Sequence, residues 1–518
     1  MQRSGIRQRG WWSVVLIGML LIGLGIRVNG IFRVKAGLSH DESVSYLCAA
    51  ATQSLYETGL PLQVDTPLVA ADIQRYYAKP EHLQFRRVAI DLSQCDIHPP
   101  LYFWLLHAAH YGVGFDMRTG PLINVLLSLV LLVLLFQLGR RILGATLPAL
   151  AVCAIWWLSP AVVAIDLEAR HYQLFGVLAM MMFIVGRRIW NGAASLSVLL
   201  VFTAINALGL LTHYYYGFLL LPGTVIMCLR YRVSALSLRY VGSLAASFLL
   251  FLFCFPQFLD FVPSYIGHTD RVAGGPIDHV QRLKALLVAC LDFFSHWQAL
   301  AASVVLCICG VGLWAAIKKR EAMLKEWRSS TSWKEIHFHL LWAGFFSVCL
   351  YLGGISPTQA VGGEYFSYIW PLLCLAITFW AQRMLSSSAR GLVFAVFITQ
   401  LAFSCWFAVE RSPFVTNLVP ESWYGLMERS DVVITNEGRR GYLPRMVTGL
   451  RPNMPLRICT QAGVDQFDPV ELRSVAFWLS VRDDADAAPG LSERMKEAGF
   501  AEQVLRDGKH ELRIFDRP

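Results

Sequence analysis

Charge is scarce in this chain. Asp, Glu, Lys and Arg make up only 16% of its 518 residues, against about 25% in an ordinary soluble domain. Hydrophobic residues reach 55%, and mean hydropathy is +0.48. That balance excludes a wholly soluble enzyme, a disordered chain and a small disulfide scaffold, and a polytopic membrane protein is the expectation. Openly legible catalytic signatures are also missing. There is no G-x-x-x-x-G-K-[ST] loop, no H-E-x-x-H and no G-x-S-x-G, so nothing points to a nucleotide motor, a zincin or a serine hydrolase. The 12 cysteines show no metal-ligand spacing. Cys307 and Cys309 form a C-x-C inside an apolar run, as packing residues do, while Cys48 and Cys95 are expected outside the membrane, as a disulfide or as two free thiols. No small-x-small cleavage site follows the first apolar run, Trp11–Ile26. Its exit, Arg27-Val28-Asn29-Gly30-Ile31-Phe32-Arg33, reads as the end of an uncleaved first span.

What is present is a series of apolar stretches near the length of about 20 residues that a span needs. They cover 11–29, 121–138, 145–164, 172–186, 195–213, 214–229, 240–256, 298–317, 337–355, 365–382 and 391–409, eleven in all. With the N-terminus inside, the inner side collects 18 basic and 3 acidic residues, among them Arg140, Arg141, Arg187, Arg188, Lys318, Lys319 and Arg320. The outer side, tail aside, has 12 basic and 16 acidic residues. An asymmetry of that size orients the chain by the positive-inside rule, and it attributes the net +9 to the membrane rather than to nucleic acid. Residues 410–518 differ, with 15 basic and 17 acidic residues in 109 positions. The expected fold is therefore an α-helical polytopic membrane region, 1–409, with a long external loop at 30–120, followed by a small soluble external α/β domain, 410–518. Within that tail, Val432–Thr435, Ser474–Val481 and Glu511–Phe515 read as strands and Leu491–Ala498 as a helix. Inside the long loop, His98–Tyr111 is apolar enough for half a span. It reads as a helix lying at the outer interface, with Pro99 and Pro100 in its first turn and His107 and His110 on one face.

Five polar clusters fall on the outer side of this topology. The first, Ser39-His40-Asp41-Glu42-Ser43, puts two adjacent carboxylates at a membrane boundary, where they serve either chemistry or the capping of a following helix. Cys95-Asp96-Ile97-His98-Pro99-Pro100 offers a carboxylate and an imidazole to a phosphate, a sugar or a metal, or simply starts a proline-led helix. Asp166-Leu167-Glu168-Ala169-Arg170-His171-Tyr172 interrupts two apolar runs. Arg170 there suits phosphate oxygens, or else pairs with Glu168 in a tight turn. Thr212-His213-Tyr214-Tyr215-Tyr216 is a polar punctuation or part of an aromatic belt. The fifth, Gly362-Gly363-Glu364-Tyr365, precedes Pro371. Span interiors are nearly free of charge, which argues against a channel or a midplane transporter.

Taken in order, these clusters resemble the GT-C superfamily of lipid-linked-sugar glycosyltransferases, and most of all the bacterial relatives of protein O-mannosyltransferases and of lipid A aminoarabinose transferases. The resemblance runs over 11–409. It rests on Asp41-Glu42 after the first span, His98–Tyr102 opening a later loop helix, Arg118 before the second span, Glu168-Ala169-Arg170-His171-Tyr172, and Thr212-His213-Tyr214. The chain departs from the pattern at Glu364, where the family often has an arginine before the tyrosine that Tyr365 matches.

The resemblance implies a membrane glycosyltransferase using a polyprenyl-phosphate sugar, with Asp41 as general base on an acceptor hydroxyl and inversion at the sugar carbon. Glu42 is implied to orient the acceptor, or to hold a divalent metal with His40, although no metal is expected. Donor phosphate and sugar fall to His98, Arg118, Glu168, Arg170, Tyr172, His213 and Tyr365. The expected setting is a bacterial inner membrane, with the N-terminus cytoplasmic and the tail periplasmic. The partners are membrane lipids, the lipid-linked donor and a glycan, lipid or protein acceptor, without nucleic acid. A flippase or transporter of polyprenyl-linked sugars and a non-catalytic envelope-assembly subunit are the competing readings.

Overall fold

The computed structural model describes residues 2–35, 37–59, 66–96, 98–260, 331–352, 367–385, 397–406, 421–436, 447–460, 467–480, 490–507 and 510–518, with scattered single positions between them. The expected span at 298–317, with Cys307 and Cys309, lies outside the described residues apart from Gly310, as do Glu364 and Tyr365. The chain divides into two compact units. One comprises 1–32, 97–102 and 121–410, and the other 33–96, 103–120 and 411–518.

The first unit is helical. Among the described residues, four helices are long and apolar enough to cross a membrane: Trp11–Val34, Thr119–Leu143, Tyr172–Trp190 and Ala235–Cys254. A fifth arises if Thr146–Trp157 and Pro160–Asp166, bent by 64°, form one span. Pro160 explains the bend, because it has no N–H to continue the preceding helix and instead opens the next one at its first turn. Shorter apolar helices cover Leu196–Leu210, Tyr216–Tyr231, Ile336–Val348 and Phe397–Trp406. Large apolar side chains such as Leu21, Leu126, Val133 and Phe253 stand exposed on these helices. That is costly in water and ordinary against lipid.

Buried polar groups hold the first unit together. Arg27 Nε donates to Asp166 Oδ2 at 2.5 Å, and both side chains are fully buried. The same carboxylate accepts from the Ser128 hydroxyl and from Gln173 Nε2 at 2.7 Å. The guanidinium also lies 3.6 Å over the Trp157 ring. Gly23 permits this approach, since a Cβ there would run into the Trp157 indole.

The second unit combines loop helices with a six-stranded sheet. The strands are β1 Pro67–Val69, β2 Val432–Asn436, β3 Pro455–Cys459, β4 Ser474–Ser480, β5 Ala501–Asp507 and β6 His510–Asp516, in the order β1-β3-β2-β4-β6-β5. β2 runs parallel to β3 and β4, and the other pairs are antiparallel. β4 is buried along 475–479, as a central strand covered on both faces must be. Ile434, Phe477, Leu479, Leu491, Met495 and Phe515 form the core of the sheet and its helix, Leu491–Glu497.

The tail does not build this sheet alone. β1 comes from the 30–120 loop and pairs with β3, Pro67 facing Arg457. Ala70 N–H donates to the Met454 carbonyl at 2.9 Å, and Gln74 Nε2 reaches the carbonyls of Val447 and Leu450 at 2.8 and 2.7 Å.

The expected loop helix is Leu101–Val113. It begins just after the two prolines rather than including them. Its two histidines are structural. His107 donates from Nδ1 to the Ala49 carbonyl (2.6 Å) and accepts at Nε2 from Gln84 N–H (2.8 Å). His110 donates from Nε2 to the Tyr77 carbonyl at 3.1 Å, and burial lowers its pKa to about 4. Cys48 and Cys95 are free thiols, Cys48 donating to Gln53 Oε1 at 2.7 Å.

Candidate active site

In the second unit, Asp41 and Glu42 sit in the first turn of the helix His40–Ala50. The cap is Ser39, not Asp41. Ser39 Oγ accepts from Glu42 N–H, and the Glu42 carboxylate accepts in return from Ser39 N–H at 2.9 Å, closing a capping box. Asp41 is exposed and Glu42 fully buried. Both Glu42 oxygens accept from Lys35 Nζ, at 2.6 and 2.7 Å. The adjacent carboxylates therefore have opposite fates. Glu42 is committed to a buried ion pair and a cap, and a divalent ion on it would have to displace an ammonium group. Arg118 lies in the same unit, half-buried in the turn before Thr119–Leu143, with its backbone N–H on Asp116 Oδ1 at 2.8 Å.

The first unit gathers His98, Arg170, His171, Tyr172 and His213 from three stretches of chain. Leu101 N–H donates to the Leu211 carbonyl at 2.9 Å, which ties the His98 segment to the His213 turn. The turn that ends in Arg170 is held from below by Asn124. Its amide Nδ2 donates to the carbonyls of Ile165, Glu168 and Arg170 at 3.3, 2.5 and 3.1 Å. His171 precedes the helix Tyr172–Trp190 in the cap position, but its side chain makes no capping bond, so the imidazole points elsewhere.

Where it points is the cluster. The ring of His171 lies 4.8 Å from that of His98 and 4.8 Å from that of His213, and 4.5 Å from Tyr172. One ring nitrogen from each histidine lies within 4.8 Å of the others. Arg170 Nη2 donates to His98 Nε2 at 3.3 Å. Burial above all, then the neighbouring imidazoles and Arg170, hold His171 well below the usual histidine pKa, and burial, His98 and Arg170 do the same for His213. A buried guanidinium beside buried imidazoles is a donor-rich cluster, suited to phosphate oxygens.

Of the expected donor residues, His98, Glu168, Arg170, Tyr172 and His213 thus belong to one unit, and four of them meet in this cluster. Asp41, Glu42 and Arg118 belong to the other unit, and Tyr365 lies outside the described residues. His171, named in the sequence only as part of a turn, has no assigned role there. The available signal was its place, immediately before an apolar helix and next to Arg170.

Residues 97–258 match the family profile described as dolichyl-phosphate-mannose-protein mannosyltransferase. Two solved structures share the fold over nearly the whole chain. One is ArnT from Cupriavidus metallidurans bound to undecaprenyl phosphate, at 10% identity and TM-score 0.50 over 97% of this chain and 98% of that one. The other is the same protein in the apo state, at 11% identity and TM-score 0.50 over 98% of each chain. The chain therefore shares the fold of that protein. None of the curated proteins compared with the chain matches it. The His98, Arg170 and His213 segments lie inside the profile-matched region, whereas Asp41 precedes it.

Proposed function

We propose that the chain is an integral membrane glycosyltransferase that moves a sugar from a polyprenyl-phosphate donor to an envelope acceptor at the periplasmic face of a bacterial inner membrane. The observation that carries this reading is the buried cluster of Arg170 with His98, His171 and His213, within a fold shared with an enzyme solved bound to undecaprenyl phosphate. A phosphate monoester leaving group gains a second negative charge as the bond to sugar breaks. Donors fixed in a low-dielectric pocket stabilise that charge without reorganising.

In the proposed reaction the acceptor hydroxyl oxygen attacks the anomeric carbon from the face opposite the phosphate. The carbon–oxygen bond to phosphate breaks, its electron pair stays on the phosphate oxygen, and the configuration inverts. The hydroxyl proton passes to the Asp41 carboxylate, which its exposed position leaves accessible to an acceptor. Arg170 and the histidines take the phosphate. Glu42 acts only as the buried anchor of the helix that carries Asp41. Binding of undecaprenyl phosphate to the purified chain tests the donor assignment. Arg170→Gln is expected to weaken binding by about 10- to 100-fold, the worth of a hydrogen bond to a charged group. Unchanged affinity would remove Arg170 from the phosphate site.

A further inference from the structure

We infer that His171 binds the phosphate directly and that the three-histidine cluster takes an oxyanion rather than a metal ion. The inference deepens the donor reading above, on which it rests, by naming a residue and deciding the class of ligand. Three imidazoles within 4.8 Å of one another look at first like a zinc site. Bonds of about 2.0–2.1 Å to zinc would draw the nitrogens inward by less than about 1 Å each, so distance alone does not exclude it.

The hydrogen bonds decide between the two. His213 Nδ1 accepts from Tyr215 N–H at 3.0 Å. A neutral His213 therefore carries its proton on Nε2, which makes that nitrogen a donor and unfit to ligate a cation. His98 Nε2 accepts from Arg170, and a guanidinium cannot accept in return. A neutral His98 therefore carries its proton on Nδ1. A metal would have to displace Arg170 from one histidine, break the Tyr215 bond of another, and sit beside a buried positive charge. An oxyanion has none of these costs, because Arg170, His171 and His213 can each turn an N–H toward it.

His171 completes the argument. It is fully buried, and neither ring nitrogen has a hydrogen-bond partner among the described residues. Buried polar atoms are nearly always satisfied, so an imidazole left in this state at the centre of a donor cluster marks the place of a missing acceptor. A phosphate oxygen between the His171 and His213 rings would take one N–H from each, while Arg170 neutralises its charge.

The test uses the full chain, purified in detergent, with three separate probes: undecaprenyl phosphate, inorganic phosphate and Co²⁺. His171→Ala should weaken undecaprenyl phosphate by about 10- to 100-fold. His171→Gln, which keeps an N–H donor, should recover most of that loss and melt like the wild type. Co²⁺ should give no tetrahedral visible spectrum in the wild type. Equal affinity of His171→Ala and wild type for undecaprenyl phosphate would overturn the role of His171 and leave the donor reading standing. A one-to-one Co²⁺ spectrum lost in His171→Ala would overturn the oxyanion assignment in favour of a metal. If the wild type ignores undecaprenyl phosphate but binds inorganic phosphate through His171, the pocket stands and the donor reading falls.

Discussion

Replacing Arg27 by methionine isolates the Asp166 carboxylate inside the helical unit, and the consequence can be worked out. Asp166 keeps Ser128 and Gln173 as neutral donors but loses the positive charge bonded to it, at 2.5 Å in a fully buried setting. Removing one partner of such a pair costs about 3–5 kcal/mol, mostly because the other charge stays buried. Over a unit of roughly 300 residues, with about 2.1 cal/mol/K of unfolding entropy per residue, that is a melting-point loss of about 5–8 °C. Replacing both partners, Arg27→Met with Asp166→Leu, leaves no charge behind and should recover most of the loss. The assay is a double-mutant cycle of thermal unfolding in detergent, with donor binding measured on the same four proteins. An Arg27→Met protein that melts like the wild type would refute the reasoning. So would a double mutant that regains stability but not donor binding, because Asp166 would then serve the donor site and not only anchor the helices.

Three other expectations follow from the same bookkeeping. Lys35→Met strands the Glu42 carboxylate, which still accepts from Ser39 N–H, and should destabilise the second unit by about 3–5 kcal/mol in thermal unfolding. Wild-type stability in that protein would mean that Glu42 is not held as described. Asn124→Ala removes the donor to three carbonyls of the 165–170 turn; it should raise the KM for donor more than that for acceptor, and an equal rise in both would argue against a positioning role. His110 is held neutral by burial at a pKa of about 4, below the unfolded value near 6.5. As pH falls the unfolded chain binds that proton first. The contribution is complete above about pH 6.5 and is lost toward pH 4, on the order of 3 kcal/mol. His110→Phe should flatten the acid side of the stability profile, and an unchanged profile would count against the assignment.

Much of the helical unit was legible because apolar length is a direct physical requirement of a bilayer. The stretches at 11–29, 121–138 and 172–186 fall inside helices that meet the length and hydropathy of a span, and 240–256 overlaps another, Ala235–Cys254, whose end it overruns. The bend at Pro160 was not anticipated, although proline chemistry accounts for it. In the tail, the apolar run at 474–481 announced β4. β1 went unseen because three residues, Pro67–Val69, carry no periodicity and pair with a strand almost 400 positions away. Such pairings depend on closing a long loop, and local sequence holds no record of them.

The site was legible in kind more than in detail. Arg170, His98 and His213 could be named because each interrupts an apolar run. That Glu42 would be spent on Lys35 while Asp41 stayed exposed could not be read from two adjacent carboxylates, because the outcome depends on which one the helix turns inward. His171 was hidden for a similar reason. Its neighbours in sequence suggest a turn, and only the folded backbone brings its ring between two other imidazoles.

The central claim is sugar transfer from a polyprenyl-phosphate donor with Asp41 as base. It is tested most directly by giving a radiolabelled polyprenyl-phosphate hexose and an envelope extract to purified wild type and to Asp41→Asn. The account predicts transfer by the wild type, and undiminished donor binding with almost no turnover in Asp41→Asn. Turnover retained in Asp41→Asn would contradict the assignment of the base, and donor binding without any transfer by the wild type would contradict the enzyme itself.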